Sequence, residues 1–214
     1  MQTHKHTAFA AGLVALLAIG SGFTTVARAE DGAKTLELSV LGGIQALNKN
    51  DTALPDDFIN VPAAVALTYG VSPTWAVQGE FSWMIPVKKS VDLGAAGSQD
   101  RRTPNILTYQ ANVLARLPVA SGSWAPYLTA GLGAITFLSD SESDRLPQLA
   151  ESQTAFAINF GAGTSYALGQ RWALRGDLRE FAAFPSNDMA GLSSAGKADP
   201  IWMERGTLGL AYQF

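Results

Sequence analysis

Short stretches of alternating apolar and polar residues run through the chain from residue 36 to its end. In Leu36–Gln45 (LELSVLGGIQ), apolar side chains alternate with Glu, Ser, Gly and Gln. Successive side chains of an extended strand point to opposite faces, so a period of two indicates a strand with one apolar and one polar face. Seven further segments show the pattern: 63–70, 75–83, 106–117, 126–137, 156–168, 171–181 and 204–214. We therefore predict eight β-strands.

The connections between these strands alternate strictly between short and long. Val71–Pro73, Pro118–Ser123 and Gly169–Gln170 are short and contain residues typical of tight turns. The other four connections are long and polar, and lie near 48–57, 87–105, 138–152 and 183–201. Short periplasmic turns and long extracellular loops are typical of transmembrane barrels. The predicted fold is an all-β, eight-stranded antiparallel up-and-down transmembrane β-barrel with both termini on the periplasmic side.

The polar face of the strands is predicted to point into the barrel. An eight-stranded barrel is only wide enough inside for side chains, and isolated buried charges are costly, so inward charges should be paired. We expect a lumen charge network of Glu37, Glu80, Arg116, Arg175, Asp177, Arg179 and Arg205. Such a network is compatible with a plug that fixes the barrel's shape, or with a gate that opens a narrow pore. Inward glycines, such as Gly131, Gly133, Gly161 and Gly163, leave a partial cavity or make room for the arginines.

Aromatic residues gather near the predicted strand ends. Two aromatic girdles around an apolar band are expected at the two interfaces of a membrane-spanning barrel. On the short-turn side the predicted girdle consists of Tyr69, Trp75, Trp124, Tyr166, Trp172 and Phe214. On the long-loop side it consists of Phe58, Trp83, Phe137, Phe184 and Trp202.

The N-terminal 29 residues have the pattern of a signal peptide. Lys5 provides positive charge, Ala8–Gly20 is almost wholly apolar, and Ala27-Arg28-Ala29 has the small-x-small form of a cleavage site at Ala27 and Ala29. The apolar run is shorter than the ~20 residues that a membrane-spanning helix requires. We predict a signal peptide over residues 1–29, export from the cytoplasm, and one barrel domain over residues 30–214.

Removal of this segment changes the chemistry that remains. Both histidines, Lys5 and Arg28 are removed with it. The mature chain then contains 13 of the 15 Lys and Arg and all 18 Asp and Glu, which gives it a net charge of −5. The negative charge argues against a nucleic-acid partner. Since the mature chain contains no Cys and no His, it lacks disulfides and thiolate metal ligands, and we expect no cofactor and no metal site.

The last eight residues, TLGLAYQF, end the chain on an apolar strand face and a terminal aromatic. Thr207, Gly209, Tyr212 and Phe214 resemble the C-terminal sorting signal of bacterial outer-membrane barrels. With PYLTAGLGA (126–134) and FGAGTSYAL (160–168), they are similar to the OmpA/OmpX-like outer-membrane β-barrel domain family. The resemblance implies localisation in the outer membrane of a Gram-negative bacterium. It also implies contact with outer-membrane lipid, and folding by periplasmic chaperones and the barrel-assembly machinery.

The resemblance also bears on function. Small outer-membrane enzymes on similar scaffolds depend on a catalytic histidine, which the mature chain lacks, so no enzymatic activity is expected. We expect a monomeric barrel with a structural or surface-interaction role. The alternative is a narrow channel of the OmpW kind for small or hydrophobic solutes. Four basic residues of the second long loop are candidate contacts for lipopolysaccharide phosphates: Lys88, Lys89, Arg101 and Arg102.

Overall fold

The computed structural model describes residues 35–47, 59–92, 97–118, 122–139, 142, 144–145, 149–186 and 200–214. Within them are ten strands and no helix long and apolar enough to cross a bilayer. The strands are β1 (Leu36–Leu47), β2 (Ile59–Gly70), β3 (Trp75–Pro86), β4 (Lys89–Asp92), β5 (Ser98–Arg101), β6 (Ile106–Arg116), β7 (Trp124–Phe137), β8 (Gln153–Ala167), β9 (Trp172–Phe184) and β10 (Ile201–Gln213).

Eight of these strands form a closed antiparallel barrel. Each pairs with its neighbour along the chain, and β10 pairs with β1 to close the sheet. Following paired residues once around the barrel from Glu37 leads back to β1 at Leu47, ten residues further along. Such a stagger tilts the strands and determines how much room the lumen has. The predicted all-β fold, an eight-stranded antiparallel up-and-down barrel, is therefore confirmed.

The second long connection contains an element that the sequence pattern did not predict. Strands β4 and β5 pair antiparallel as a separate two-stranded sheet, with Lys89 opposite Arg101. We call the end of the barrel that carries this β4–β5 hairpin the loop end. The opposite end carries the short connections after β2, β6 and β8, and we call it the turn end.

The outward face of the barrel is apolar. Leu, Val, Ile and aromatic side chains at alternate positions are exposed along the barrel strands, as in β1, where Leu36, Leu38, Val40 and Ile44 are exposed. Aromatic pairs stand at the turn end, with ring centroids 5.1 Å apart for Trp124 and Tyr166 and 4.9 Å apart for Trp172 and Tyr212.

One predicted girdle residue does not belong to the outward face. Phe137 is completely buried inside the barrel, because it has the parity of the inward residues of β7, such as Tyr127 and Ile135. The prediction for Phe137 was wrong for this reason. Phe58 lies outside the described residues.

The inward face is not polar along its whole length. At the loop end, twelve buried residues form an apolar cluster, which we call the loop-end cluster: Leu47, Met84, Ile106, Ile135, Phe137, Leu149, Ala155, Ala157, Phe181, Ala183, Ile201 and Met203. Charged and polar side chains occupy the lumen from this cluster towards the turn end. Buried polar side chains also occur at the loop end, among them Gln45, Asn60 and Thr103. The lumen is therefore mainly apolar at the loop end and mainly polar towards the turn end, and we call the latter part the polar half.

Candidate functional site

Arg175 is the centre of the polar half of the lumen. It lies on β9 and is 1% exposed. Its Nε donates to the Tyr127 hydroxyl at 2.8 Å and to Asp177 Oδ2 at 3.1 Å, while Nη1 donates to Glu37 Oε1 at 3.2 Å. The guanidinium carbon also lies 4.9 Å from the centroid of the Tyr127 ring. One arginine thus connects three strands through charge-assisted hydrogen bonds.

The ion pairs continue from Arg175 across the lumen. Asp177 Oδ1 accepts from Arg179 Nη2 at 2.9 Å, and Arg179 Nη1 lies 3.2 Å from Glu80 Oε2. Glu80 Oε1 in turn accepts from Arg205 Nη2, and Arg205 packs its guanidinium 4.5 Å from the centroid of the Phe181 ring. We call this alternating series the charge ladder: Glu37, Arg175, Asp177, Arg179, Glu80 and Arg205. Three carboxylates alternate with three arginines, so the ladder is formally neutral.

Amide side chains fill the space beside the charge ladder. Gln78 Oε1 accepts from Arg179 at 3.0 Å and from Asn112 at 3.1 Å. Asn159 donates to Asn112 Oδ1 at 2.8 Å and to Gln110 Oε1 at 2.9 Å. These bonds extend the polar network to the strands on the far side of the barrel, so side chains cross the whole lumen at this level.

The inward glycines make room for these side chains. A Cβ atom at Gly163 would overlap the ring of Tyr127, its register partner on β7. A Cβ at Gly161 would lie against the backbone of β9 and 3.0 Å from Arg179 Cγ. The space that these glycines leave is therefore occupied by Tyr127 and Arg179. Gly131 and Gly133 leave space in the same way for Asn112 and Gln110.

The seventh predicted network residue, Arg116, lies at the turn end. It is half-buried, and its Nη1 is 3.5 Å from the backbone carbonyl oxygen of Ser72. It lines a small cavity together with Glu37 and Arg175. Six of the seven predicted residues thus form one series of ion pairs, and Arg116 lies beside its Glu37 end.

Ion pairs also connect the second and third long connections at the loop end. Asp144 Oδ2 lies 3.3 Å from Lys88 Nζ and 2.9 Å from Arg102 Nε. The backbone amide of Arg102 donates to the carbonyl oxygen of Asp144 at 2.9 Å, and Arg102 also pairs with Glu142. Desolvation raises the pKa of Asp144, but hydrogen bonds from Lys88 and Arg102 outweigh it, so this pKa lies below its usual value.

The four predicted lipopolysaccharide contacts therefore have different surroundings. Lys88 and Arg102 engage Asp144, whereas Lys89 and Arg101 face each other across the β4–β5 hairpin. The Arg101 Nη2 atom donates to Gln99 Oε1 at 2.5 Å. Two basic residues thus lie directly opposite each other in the β4–β5 hairpin.

The structure also places two groups that sequence reasoning missed. The Tyr127 hydroxyl donates to Asp177 Oδ1 at 2.8 Å and accepts from Arg175, and its inward parity in β7 was the available signal. Glu180 and Glu204 are direct partners in the β9–β10 register, on the outward face. They are the two charged residues on the outward faces of the described barrel strands, and their parity relative to Arg179 and Arg205 indicates this orientation.

The C-terminal strand completes the barrel. Thr207 pairs with Gly43, Gly209 with Leu41 and Tyr212 with Leu38, and the amide of Phe214 donates to the carbonyl oxygen of Leu36 at 2.9 Å. Phe214 itself is 69% exposed and stacks edge-on against Tyr212, with ring centroids 5.1 Å apart. Phe214 is thus anchored by its backbone, and its ring belongs to the aromatic residues on the outward face at the turn end.

The chain was compared with models of known protein families. The family model of the outer membrane protein beta-barrel domain matches residues 13–214. The chain belongs to this family. It is accordingly an integral protein of the outer membrane, with lipid against its apolar outward face. No curated protein sequence matches the chain at a significant level.

Solved structures show the same fold at low sequence identity. The N-terminal β-barrel domain of Pseudomonas aeruginosa OprF is similar to this outer-membrane barrel with a TM-score of 0.50 and 15% identity, covering 86% of this chain and 100% of that one. Neisserial surface protein A aligns with a TM-score of 0.54 and 12% identity, covering 85% of this chain and 97% of that one.

Among the described residues no three Asp, Glu, His or Cys side chains are arranged to hold a metal ion.

Proposed function

We propose that this outer-membrane barrel has a non-enzymatic structural or surface-interaction role and does not conduct solutes. The observation that carries the proposal is the filled lumen. The charge ladder and its amide neighbours cross the polar half, and the loop-end cluster fills the other half with side chains that are almost completely buried. A solute would have to break buried ion pairs and displace close-packed apolar side chains.

The energetic reason lies in the ion pairs. Arg179 and Glu80 are fully buried, with side-chain exposures of 0% each. Leaving a single buried charge without its partner costs about 3–5 kcal/mol, and separating a pair leaves two such charges. Rearrangement of the whole ladder would break several such pairs together. A narrow channel is the competing function, and it requires this rearrangement to occur at low cost.

Single-channel recording in a planar bilayer tests the proposal. The protein purified from outer membranes is expected to give no discrete current steps, while its heat-modifiable gel mobility shows that it is folded. Arg175→Ala is the informative variant, because it removes the centre of the ladder. Discrete steps in the wild-type protein that change size in Arg175→Ala would replace our proposal with the channel function.

The surface role that we propose is contact with lipopolysaccharide phosphates through the β4–β5 hairpin. Lys89 and Arg101 are direct partners in the hairpin register, so their positive charges lie close together. Adjacent lysine and arginine side chains are suitable donors for a phosphate, which accepts charge-assisted hydrogen bonds. Lys88 and Arg102 support this surface through Asp144, which ties the hairpin to the third connection.

Binding to lipopolysaccharide and to its dephosphorylated form separates this role from a purely structural one. Lys89→Gln combined with Arg101→Gln should weaken binding to the phosphorylated form at least tenfold and leave binding to the dephosphorylated form unchanged. Arg171→Gln is the control for loss of a surface charge, because this exposed arginine lies at the turn end, away from the hairpin. Equal binding of both lipid forms by the wild-type protein would rule out phosphate recognition.

We also propose the route by which the protein reaches the outer membrane. Cleavage after Ala29, at a site that lies outside the described residues, would release a mature chain that begins at Glu30. Periplasmic chaperones and the barrel-assembly machinery would then receive it, with both termini in the periplasm. The exposed Phe214 ring at the turn end supports recognition of the final strand by this machinery.

A further inference from the structure

One carboxylate oxygen at the loop end is shared by two cations. Asp144 Oδ2 lies 3.3 Å from Lys88 Nζ and 2.9 Å from Arg102 Nε. Among the described residues Lys88 pairs with Asp144 alone, whereas Arg102 pairs with Asp144 and Glu142. An ammonium and a guanidinium that converge on one oxygen are also suited to hold a phosphate oxygen. The Asp144 carboxylate thus occupies a place that fits the oxygen of a phosphate.

The carboxylate satisfies this pair of cations only in part. Asp144 Oδ1, its second oxygen, is buried and accepts no hydrogen bond from a described residue. The Lys88 ammonium has three donor hydrogens, and its side chain is 57% exposed, so a further acceptor can reach it from outside. A phosphate monoester has three acceptor oxygens and more negative charge than a carboxylate. It would therefore make more hydrogen bonds with the two cations than Asp144 makes.

The two cations lie close to the boundary of the membrane. Lys88 follows the end of β3 by two residues, and Trp83, near that end, is exposed on the lipid-facing surface. Aromatic side chains of transmembrane barrels lie at the level of the lipid headgroups, where lipid phosphates are also found. In the chain, Lys88 and Arg102 each adjoin one member of the Lys89–Arg101 pair. The four cations therefore form two neighbouring pairs within reach of lipid phosphates.

We propose that Lys88 and Arg102 form a second phosphate-binding pair, which Asp144 occupies in the unbound protein and from which a lipopolysaccharide phosphate displaces it. The third long connection thus contributes an internal competitor, whose carboxylate lowers the affinity of the loop end for phosphate. The inference rests on the proposed contact between the hairpin and lipopolysaccharide, and it adds what limits that contact. The backbone still joins the two connections after the exchange, because the Arg102 amide donates to the Asp144 carbonyl oxygen at 2.9 Å.

Neutralising the internal competitor tests the proposal. Asp144→Asn keeps the size of the side chain but removes its charge, so it should strengthen binding to lipopolysaccharide about three- to tenfold. Binding is measured with the full barrel in phospholipid nanodiscs, and heat-modifiable gel mobility shows that each variant is folded. Binding to dephosphorylated lipopolysaccharide should not change, because the released cations recognise the phosphate.

Two further variants connect the gain to this pair of cations. Lys88→Gln should have little effect in the wild-type protein, where Asp144 engages this cation, but it should abolish the gain in Asp144→Asn. Asp100→Asn is the matched control, because it removes an equal charge from the hairpin, while Asp100 accepts a hydrogen bond from the Ser90 hydroxyl at 2.6 Å. It should change binding by no more than about twofold.

The outcomes separate this inference from the proposed function. If the wild-type protein distinguishes the two lipid forms but Asp144→Asn binds no more tightly, the internal competitor is refuted and the hairpin contact stands. Equal binding of both forms by the wild-type protein would overturn the proposed function and this inference together. A gain that Asp100→Asn matches, or that Lys88→Gln does not remove, would assign the effect to overall charge and overturn the second pair. A gain for inorganic phosphate without one for lipopolysaccharide would overturn the lipid as its ligand.

Discussion

Replacement of Arg175 by alanine removes the residue on which the polar half of the lumen is centred. The guanidinium donates to Tyr127, Asp177 and Glu37, and more weakly to Ser39 and Thr68 at 3.5 and 3.3 Å. Alanine at this position leaves two carboxylates and a phenol without this donor. The barrel should therefore be clearly less stable, even though no apolar contact of the lipid-facing surface changes.

The expected loss of unfolding free energy depends on the interactions that each former partner of Arg175 retains. Breaking a buried ion pair by removing one member costs about 3–5 kcal/mol, mostly because the other charge remains buried and unpaired. Asp177 retains hydrogen bonds from Arg179 and Tyr127, and the Glu37 side chain is 15% exposed and so near water. Both circumstances reduce the penalty. We expect a loss of about 3 kcal/mol, at the lower end of this range.

The assay is equilibrium urea unfolding in lipid vesicles, with tryptophan fluorescence and heat-modifiable gel mobility as two independent readouts of the folded barrel. Arg171→Ala is the matched control, because this exposed arginine makes one hydrogen bond to Tyr212 at the turn end. Its loss should be at most about 1 kcal/mol. A double-mutant cycle of Arg175→Ala with Glu37→Ala should give a coupling energy of about 1 kcal/mol for their shared ion pair.

The reasoning would be refuted if Arg175→Ala lost no more free energy of unfolding than Arg171→Ala. That result would mean that Asp177 and Glu37 are fully satisfied without Arg175, by water or by rearranged neighbours. A large loss with no coupling to Glu37 would instead assign the stabilisation to Asp177 and Tyr127.

Three further predictions concern other parts of the barrel. Deletion of Phe214 should sharply reduce the folded protein in outer membranes, as measured by gel mobility of membrane fractions, because the final strand loses its exposed aromatic end. Gly163→Ala should cost about 1–3 kcal/mol in the same unfolding assay, since its Cβ overlaps the Tyr127 ring, whereas Gly79→Ala meets no atom within 4 Å and should be nearly neutral. The pKa of Asp144 is lowered in the folded state, so its ionised carboxylate should stabilise the loop end at pH values above its ordinary pKa of 3.8. This stabilisation should be lost as the pH falls through the lower pKa of the folded state, and faster hydrogen exchange at the Arg102 amide would report the loss.

For each of these three predictions, one result would contradict it. An unchanged yield of folded protein without Phe214 would remove the basis for a C-terminal sorting signal. Equal stabilities of Gly163→Ala and Gly79→Ala would mean that the Tyr127 ring moves aside at no cost. Exchange at Arg102 that is the same in Asp144→Asn as in the wild-type protein at neutral pH would show that the carboxylate does not hold the two connections together.

Alternation by itself determined the fold of this protein. A period of two over eight segments specifies strands with two different faces, and alternating short and long connections specify their antiparallel order. The inward orientation of Arg175, Asp177 and Arg179 follows directly, because parity within a strand decides the face. For the same reason the parity of Phe137 in β7 was sufficient to place it inside the barrel, and proximity to a strand end was a misleading signal.

Tertiary structure alone decided which inward residues meet. The level of each side chain along the barrel axis depends on the register and on the ten-residue stagger, and neither can be calculated from one strand. Thus only the structure pairs Glu80 on β3 with Arg179 on β9 and Arg205 on β10, on the other side of the lumen. The same closure gathers apolar inward residues at the loop end, and leaves buried donors around one small cavity at the turn end.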